Sequence, residues 1–117
     1  MNITAEDRNG KTLLFVREER LDANNSGDLK EYLKRLLEAE AKAVIIDLSM
    51  VSFIDSSGLG ALLSGYKNAN LHQGSLVLHG LQPRVQSMFE LTRLQRVFDI
   101  YLSQQEALDH IEGGKHS

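Results

Sequence analysis

The pattern of hydrophobic and polar positions divides the chain into short strands and amphipathic helices. A continuous apolar run at 44–46 is typical of a strand covered on both faces, and a second apolar pair follows at 53–54. The i, i+3, i+4, i+7 spacing of a buried helical face comes next, at Leu59, Leu62, Leu63 and Tyr66. This central stretch therefore predicts a buried strand, a tight turn and a helix.

The residues that join this strand to its helix are Asp55-Ser56-Ser57-Gly58. Aspartate and serine side chains accept hydrogen bonds from the free N–H groups of a first helical turn, so the helix is expected to begin here. Two hydroxyls are thereby placed at the positive end of the helix dipole.

The amino-terminal third predicts a hairpin followed by a helix. Asn9-Gly10 tolerates positive φ and predicts a turn between strands at 2–6 and 12–16. The polar, cap-rich segment 24–28 predicts the start of a helix that ends near Glu40. The buried face of this helix is expected to be Leu29, Leu33, Leu36 and Leu37.

The carboxyl-terminal third predicts two more strands and two more helices. A strand is expected at 75–79, and Pro83 favours the first position of the helix that follows. Apolar residues across 94–100 predict a short strand, and 103–106 form a capping box for a last short helix. The inward face of the penultimate helix is expected to be Val85, Met88, Phe89 and Leu91.

The predicted order is ββαβαβαβα. Because βαβ crossovers are right-handed, neighbouring helices tend to lie on the same face of the sheet. We therefore expect an α/β fold with one domain at 1–112, built on a small mixed β-sheet with helices mainly on one face. Residues 113–117 are expected to be a flexible C-terminal tail.

The composition narrows the function classes. A chain of 117 residues, 42% hydrophobic and 25% charged, is typical of one soluble globular domain. It has no cysteine, no apolar stretch of membrane-spanning length and no stripe of basic residues. We expect a cytoplasmic protein that contacts neither membrane nor nucleic acid directly.

The sequence offers little for catalysis or cofactor binding. Ser56 lies between a strand and a helix, but Ile54 stands where a nucleophile elbow needs glycine, and nothing orients His79 towards it. Gly58-Leu59-Gly60 matches no phosphate-binding loop, and the histidines lack metal-ligand spacing. We expect no enzyme activity, no cofactor and no metal. Asp47 is expected to accept hydrogen bonds from the turn that follows it.

Ser56 and Ser57 can be read as helix caps alone or as a docking site with a modifiable hydroxyl. Gly58 and Gly60 fall in the first helical turns, where each costs about 1 kcal/mol relative to alanine. Together with 61, 64 and 65 they are predicted to leave one helix face nearly bare, which favours docking.

Residues 44–48 and 53–63 resemble the central motif of the STAS domain, most of all in bacterial anti-sigma factor antagonists, also termed anti-anti-sigma factors. Residues 20–24 resemble the second motif of that family. Glycine is frequent in the family at two places where this chain has Glu19 and Thr92-Arg93.

The resemblance implies a partner switch in transcription regulation. The unphosphorylated form would bind an anti-sigma factor that is also a GHKL-type serine kinase, and so free a sigma factor. The kinase would phosphorylate Ser56 and end the binding, and a PP2C-type phosphatase would reverse this. The partner-binding residues implied by the motifs are Asp22, Asn24, Asp55, Ser56, Ser57, Gly58 and Leu59.

Two alternatives stay open on the sequence alone. Some STAS domains are structural subunits of larger regulatory or lipid-transport assemblies, in which case the serines would only cap the helix. A third reading is a sensor that binds a nucleotide at the same helix start.

Overall fold

The computed structural model describes residues 1–111, which form seven strands and four helices. The strands are β1 (Ile3–Arg8), β2 (Lys11–Val16), β3 (Arg20–Leu21), β4 (Ala43–Asp47), β5 (Phe53–Ile54), β6 (Ser75–His79) and β7 (Ile100–Tyr101). The helices are α1 (Ser26–Glu38), α2 (Ser56–Leu71), α3 (Pro83–Leu91) and α4 (Gln104–His110). Residue 112 and the tail predicted at 113–117 lie outside the described residues.

The main sheet has five strands in the order β1-β2-β4-β6-β7. β1 and β2 pair antiparallel around the predicted turn, with Arg8 opposite Lys11 and both Asn9 and Gly10 at positive φ. The other neighbours are parallel, since each is joined by a crossover that contains a helix. The predicted mixed sheet is therefore confirmed.

Alternate residues of each strand point to opposite faces of this sheet. On one face, α1, α2 and α3 enclose the larger core together with Leu14, Val44, Ile46 and Leu78. On the other, α4 covers a smaller cluster made of Leu13, Ala43, Ile45, Val77, Ala107 and Ile111. Three helices share one face, as the right-handed crossovers predict.

A second, two-stranded sheet was not predicted. β3 and β5 pair in parallel, with Arg20 opposite Phe53 and Leu21 opposite Ile54. Each is only two residues long, too short for a period to show in the sequence. This pairing brings the loop after β3 beside the start of α2.

The predicted strand at 94–100 is largely wrong. Residues Leu94–Arg96 form a 3₁₀ turn, and only Ile100–Tyr101 join the sheet. Phe98 explains the difference, because its ring packs edge-to-face on those of Tyr66 and Phe89, with centroids 5.3 and 5.6 Å away. Burying this ring in the helical layer keeps the preceding residues away from the sheet.

Two further expectations about helix faces are corrected. Leu91 was expected to face inward, but it is 77% exposed at the last residue of α3. The small residues of α2 do not form one bare face, since Gly58, Ala61 and Gly65 are buried while Gly60 is exposed. A Cβ on Gly65 would lie 2.7 Å from Leu33 Cδ1, so inward small residues serve helix packing.

The last helix begins with most of the predicted capping box. Ser103 Oγ accepts a hydrogen bond from Glu106 N at 3.2 Å. The Glu106 carboxylate accepts from Leu102 N at 3.0 Å rather than from the cap residue itself. Among residues 1–111, no helix has the length and apolarity needed to cross a membrane.

Candidate functional site

The site is centred on the first residues of α2. Asp55 is the N-cap of this helix, and its Oδ1 accepts a hydrogen bond from Gly58 N at 3.0 Å. The Asp55 N–H donates to Leu21 O at 3.2 Å, which ties the cap to β3. Ser56, the first helical residue, is exposed, and Ser57 is half-buried. Because the aspartate supplies the cap, the Ser56 hydroxyl is not needed for that purpose.

Gly58 holds the helix start against β3. A Cβ at this position would lie 2.5 Å from Leu21 O and 2.7 Å from Ile54 Cγ1, so only glycine fits. Leu59, which follows it, is 4% exposed. Both residues therefore position the surface from below, whereas Asp55, Ser56 and Ser57 form it.

The loop after β3 is fixed by its own hydrogen bonds. Asp22 Oδ1 accepts from Asn24 N at 3.0 Å, and Asp22 N donates to Asn25 Oδ1 at 2.9 Å. Asn25 Nδ2 in turn donates to Arg20 O at 2.8 Å. The β3–β5 register places Asp22 beside Asp55, since each directly follows a paired residue. Asn24 is exposed beside them.

Arg20 belongs to this surface, although the sequence reasoning did not select it. Its guanidinium carbon lies 4.0 Å from the centroid of the Phe53 ring, and its Nε lies 3.3 Å from Asp22 Oδ2. A cation over an aromatic face, next to a carboxylate, gives the side chain one defined position. The feature that identifies Arg20 is its pairing with Phe53 across β3 and β5, and this pairing is known only once the strand register is known.

A second polar cluster lies on the α4 face, at the carboxyl ends of the parallel strands. Asp47 Oδ1 accepts from Ser49 N at 2.7 Å, which confirms its predicted turn role. Asp47 Oδ2 lies 3.8 Å from His79 Nε2, a buried nitrogen that has no hydrogen-bond partner within residues 1–111. Burial lowers the pKa of His79 by disfavouring its charged form, and the nearby Asp47 carboxylate partly opposes this.

This second cluster does not extend the site at Ser56 into a catalytic one. His79 directly follows Leu78 in β6, and successive residues of a strand point to opposite faces. Since Leu78 faces the α2 side, His79 points to the opposite face of the sheet. No group of three histidine, aspartate or glutamate side chains within residues 1–111 is arranged to hold a metal ion. The chemistry that the α2 start offers is an accessible hydroxyl beside carboxylates and backbone N–H groups.

Residues 2–107 match the family model of the STAS domain. The chain belongs to the STAS domain family. It is 36% identical over 103 residues to the anti-sigma-B factor antagonist of Listeria monocytogenes, a match that spans 86% of this chain and 90% of that protein. The resemblance based on residues 20–24, 44–48 and 53–63 is thus confirmed, and the chain is a STAS protein related to the anti-sigma factor antagonists.

Solved structures of STAS proteins share the fold. A putative anti-sigma factor antagonist from Thermotoga maritima superimposes with a TM-score of 0.84 at 22% identity, over 93% of each chain. SpoIIAA in its unphosphorylated form gives a TM-score of 0.77 at 20% identity, over 92% of this chain and 94% of that one. The phosphorylated form of SpoIIAA from Bacillus gives 0.70 at 19% identity, over 92% and 97%. At these identities the likeness establishes the architecture.

Proposed function

We propose that this STAS protein is an anti-sigma factor antagonist switched by phosphorylation of Ser56. Its unphosphorylated form binds an anti-sigma factor that is also a GHKL-type serine kinase, and a sigma factor is released. The kinase modifies Ser56, and a PP2C-type phosphatase restores the binding form. The chain acts in the cytoplasm as a binding protein rather than as an enzyme.

The observation that carries this proposal is that Ser56 is exposed at the start of α2. Its hydroxyl is not used to cap the helix, because Asp55 is the N-cap. Asp55 makes the cap hydrogen bond, and Gly58 presses the helix start onto β3. The hydroxyl is therefore presented from a fixed backbone, where a kinase can reach it. Asp22, Asn24 and Ser57 complete the proposed contact surface, with Gly58 and Leu59 supporting it.

Electrostatics explains how a phosphate would end binding. A phosphate adds a charge of about -1.5 to -2 at neutral pH, and the amino end of α2 tolerates it in the free protein. Against a partner surface the same group loses its hydration and faces the carboxylates of Asp55 and Asp22. A penalty of about 3 kcal/mol weakens binding by about a hundredfold, without any refolding.

The experiment is phosphorylation by the purified GHKL-type anti-sigma factor of the same organism. After incubation with ATP, Phos-tag gels should show one shifted band for the wild type and for Ser57→Ala, and none for Ser56→Ala. By calorimetry, Ser56→Ala should bind the anti-sigma factor like the wild type, and Ser56→Glu about a hundredfold more weakly. Equal modification of Ser56→Ala and wild type would overturn the assignment.

A further inference from the structure

Helix α3 carries an outer face that the core uses only in part. Val85 and Phe89 are fully buried beneath it. Arg84, Ser87, Met88 and Leu91 follow each other at i, i+3, i+4 and i+7, the spacing of a second helical face. Met88 is half-buried and Leu91 is 77% exposed. Met88 also packs against the core, so Leu91 is the apolar side chain that this face leaves exposed, where a surface helix ordinarily has a polar one.

The same face closes a pocket on the residues that precede Ser56. Phe53 and Ile54 of β5, with Arg84, Ser87 and Met88 of α3, line a cavity of about 260 Å³. Three peptide units separate Phe53 from Ser56, so their Cα atoms are at most about 11 Å apart. A partner that covers Ser56 therefore comes within reach of this pocket.

One guanidinium group lines the pocket, and a second lies over one of its lining side chains. Arg84 is part of the pocket wall, and Arg20 lies over the ring of Phe53, which also lines the pocket. Arg20 is paired with Asp22, whereas no salt bridge among residues 1–111 involves Arg84. The whole chain has a net charge of -3, so Arg84 places a positive charge, unpaired within residues 1–111, in the pocket wall of an acidic protein. A segment that combines apolar side chains with carboxylates complements it.

We propose that the pocket between β5 and α3, extended by Leu91, docks an acidic amphipathic helix of the anti-sigma factor. We call this surface the α3 groove. The inference rests on the proposed function, because it names a second contact for the partner that covers Ser56. The spacing of 84, 88 and 91 along α3 matches a partner helix with apolar side chains about one turn apart. One side chain fills the pocket, the next contacts Leu91, and a carboxylate pairs with Arg84.

An acidic partner helix in this groove also accounts for the direction of the switch. Its carboxylates lie near the position at which a phosphate on Ser56 places negative charge. Like charges at close range, partly removed from water, repel more strongly than the same charges in solution. The groove thus supplies affinity to the unphosphorylated form and repulsion to the phosphorylated one.

The first test compares matched variants for binding to the purified anti-sigma factor by calorimetry. Leu91→Ser and Arg84→Glu should each raise the dissociation constant about tenfold, since both alter a central contact. Leu102→Ser is the control, because Leu102 is 90% exposed just ahead of α4 and outside the groove. Arg84→Glu should lose more affinity in low salt than in high salt, where charges are screened. All three positions are at the surface, and circular dichroism checks that each variant folds.

The second test uses the methyl groups of the three methionines in the chain, at 1, 50 and 88. In a spectrum of ¹³C-methyl-labelled protein, adding the anti-sigma factor should shift or broaden the Met88 signal and leave that of Met1 in place. If the wild type binds and Ser56 is phosphorylated, but both groove variants bind normally and Met88 is unmoved, the groove is wrong. If the wild type neither binds nor is phosphorylated, the proposed function itself is wrong.

Discussion

The two faces of the main sheet are built from the same strands, yet they differ in how completely they are covered. Helices of 13, 16 and 9 residues cover one face, and the buried side chains beneath them form one hydrophobic cluster. A helix of 7 residues covers the other. On this second face, the register aligns one row of side chains across four strands, namely Phe15, Asp47, His79 and Tyr101.

The three-helix face and the α4 face support different properties of the protein. On the three-helix face, complete burial makes a rigid support, and α2 can present Ser56 from a fixed position at its edge. On the α4 face, Asp47 and the buried His79 form an ionisable pair, so the protonation of His79 is expected to affect stability. Tyr101 belongs to the same row, and burial with the nearby Asp99 and Glu106 carboxylates raises its pKa. One face therefore carries the proposed contact surface, and the other is expected to make stability depend on pH.

The strongest way to break the three-helix face is to remove its largest buried side chain. Phe89 is fully buried and contacts the ring of Phe98. Phe89→Ala should lower the free energy of unfolding by about 4 kcal/mol, through lost burial and the cavity left behind. Urea denaturation followed by circular dichroism measures it. Leu108→Ala, at a half-buried position on the α4 face, should cost clearly less; equal losses would contradict the comparison.

The junction between α2 and β3 is tested by a pair of glycines. Gly58→Ala should destabilise the protein by about 3 kcal/mol, because the new Cβ meets a backbone oxygen that cannot move aside easily. Gly60→Ala is the matched control, since that position is exposed and has open space around it. It should stabilise the helix by about 1 kcal/mol. Thermal unfolding of both variants decides, and similar melting temperatures would refute the proposed role of Gly58.

The α4 face is tested by pH. Because the pKa of His79 is lowered from its ordinary value of 6.5, the unfolded chain binds the proton more readily. The free energy of unfolding should therefore have its highest value above about pH 6.5 and fall as the pH drops towards the lowered pKa. The slope of this fall should correspond to the uptake of at most one proton on unfolding. His79→Gln should remove this slope, whereas His110→Gln, at an exposed position, should retain it. Urea titrations between pH 5 and 8 measure both, and an unchanged slope in His79→Gln would show that another group is responsible.

The smallest effect is expected at the end of α3. Arg93 adopts a φ of 64°, a left-handed conformation that costs side-chain-bearing residues more than glycine. Arg93→Gly should raise the free energy of unfolding by about 0.5–1 kcal/mol, after the greater freedom of glycine in the unfolded chain is included. Differential scanning calorimetry measures the change. Arg96→Gly, where φ is not positive, should destabilise instead.

The periodic parts of the chain could be predicted from the sequence. The strand at Ser75–His79 has the predicted bounds, and the hairpin at Asn9-Gly10 and the α2 start at Asp55 are where local turn and cap chemistry place them. These features depend on residues within a few positions of each other. The predicted strand at 94–100 was largely wrong because its structure depends on distant residues. The packing of Phe98 on the rings of Tyr66 and Phe89 outweighs the local strand pattern.

The site could be predicted only in part. The motifs selected Asp22 and Ser56, but the position of Arg20 over Phe53 and the place of Arg84 in the pocket wall depend on pairing and packing between elements far apart in the chain. The burial of Gly58 and the exposure of Leu91 could not be predicted from the sequence either. Both depend on which neighbouring element lies against that helix position.

By itself, the sequence determined the alternating strands and helices, the hairpin, the cap at Asp55 and the family, because short-range hydrogen bonding and apolar periodicity act between near neighbours. Only the tertiary structure decided that β3 and β5 pair, that the small residues of α2 divide between two faces, and that Asp47 meets His79. Those outcomes depend on register and on which surfaces meet, and both are fixed only when residues far apart in the chain pack together.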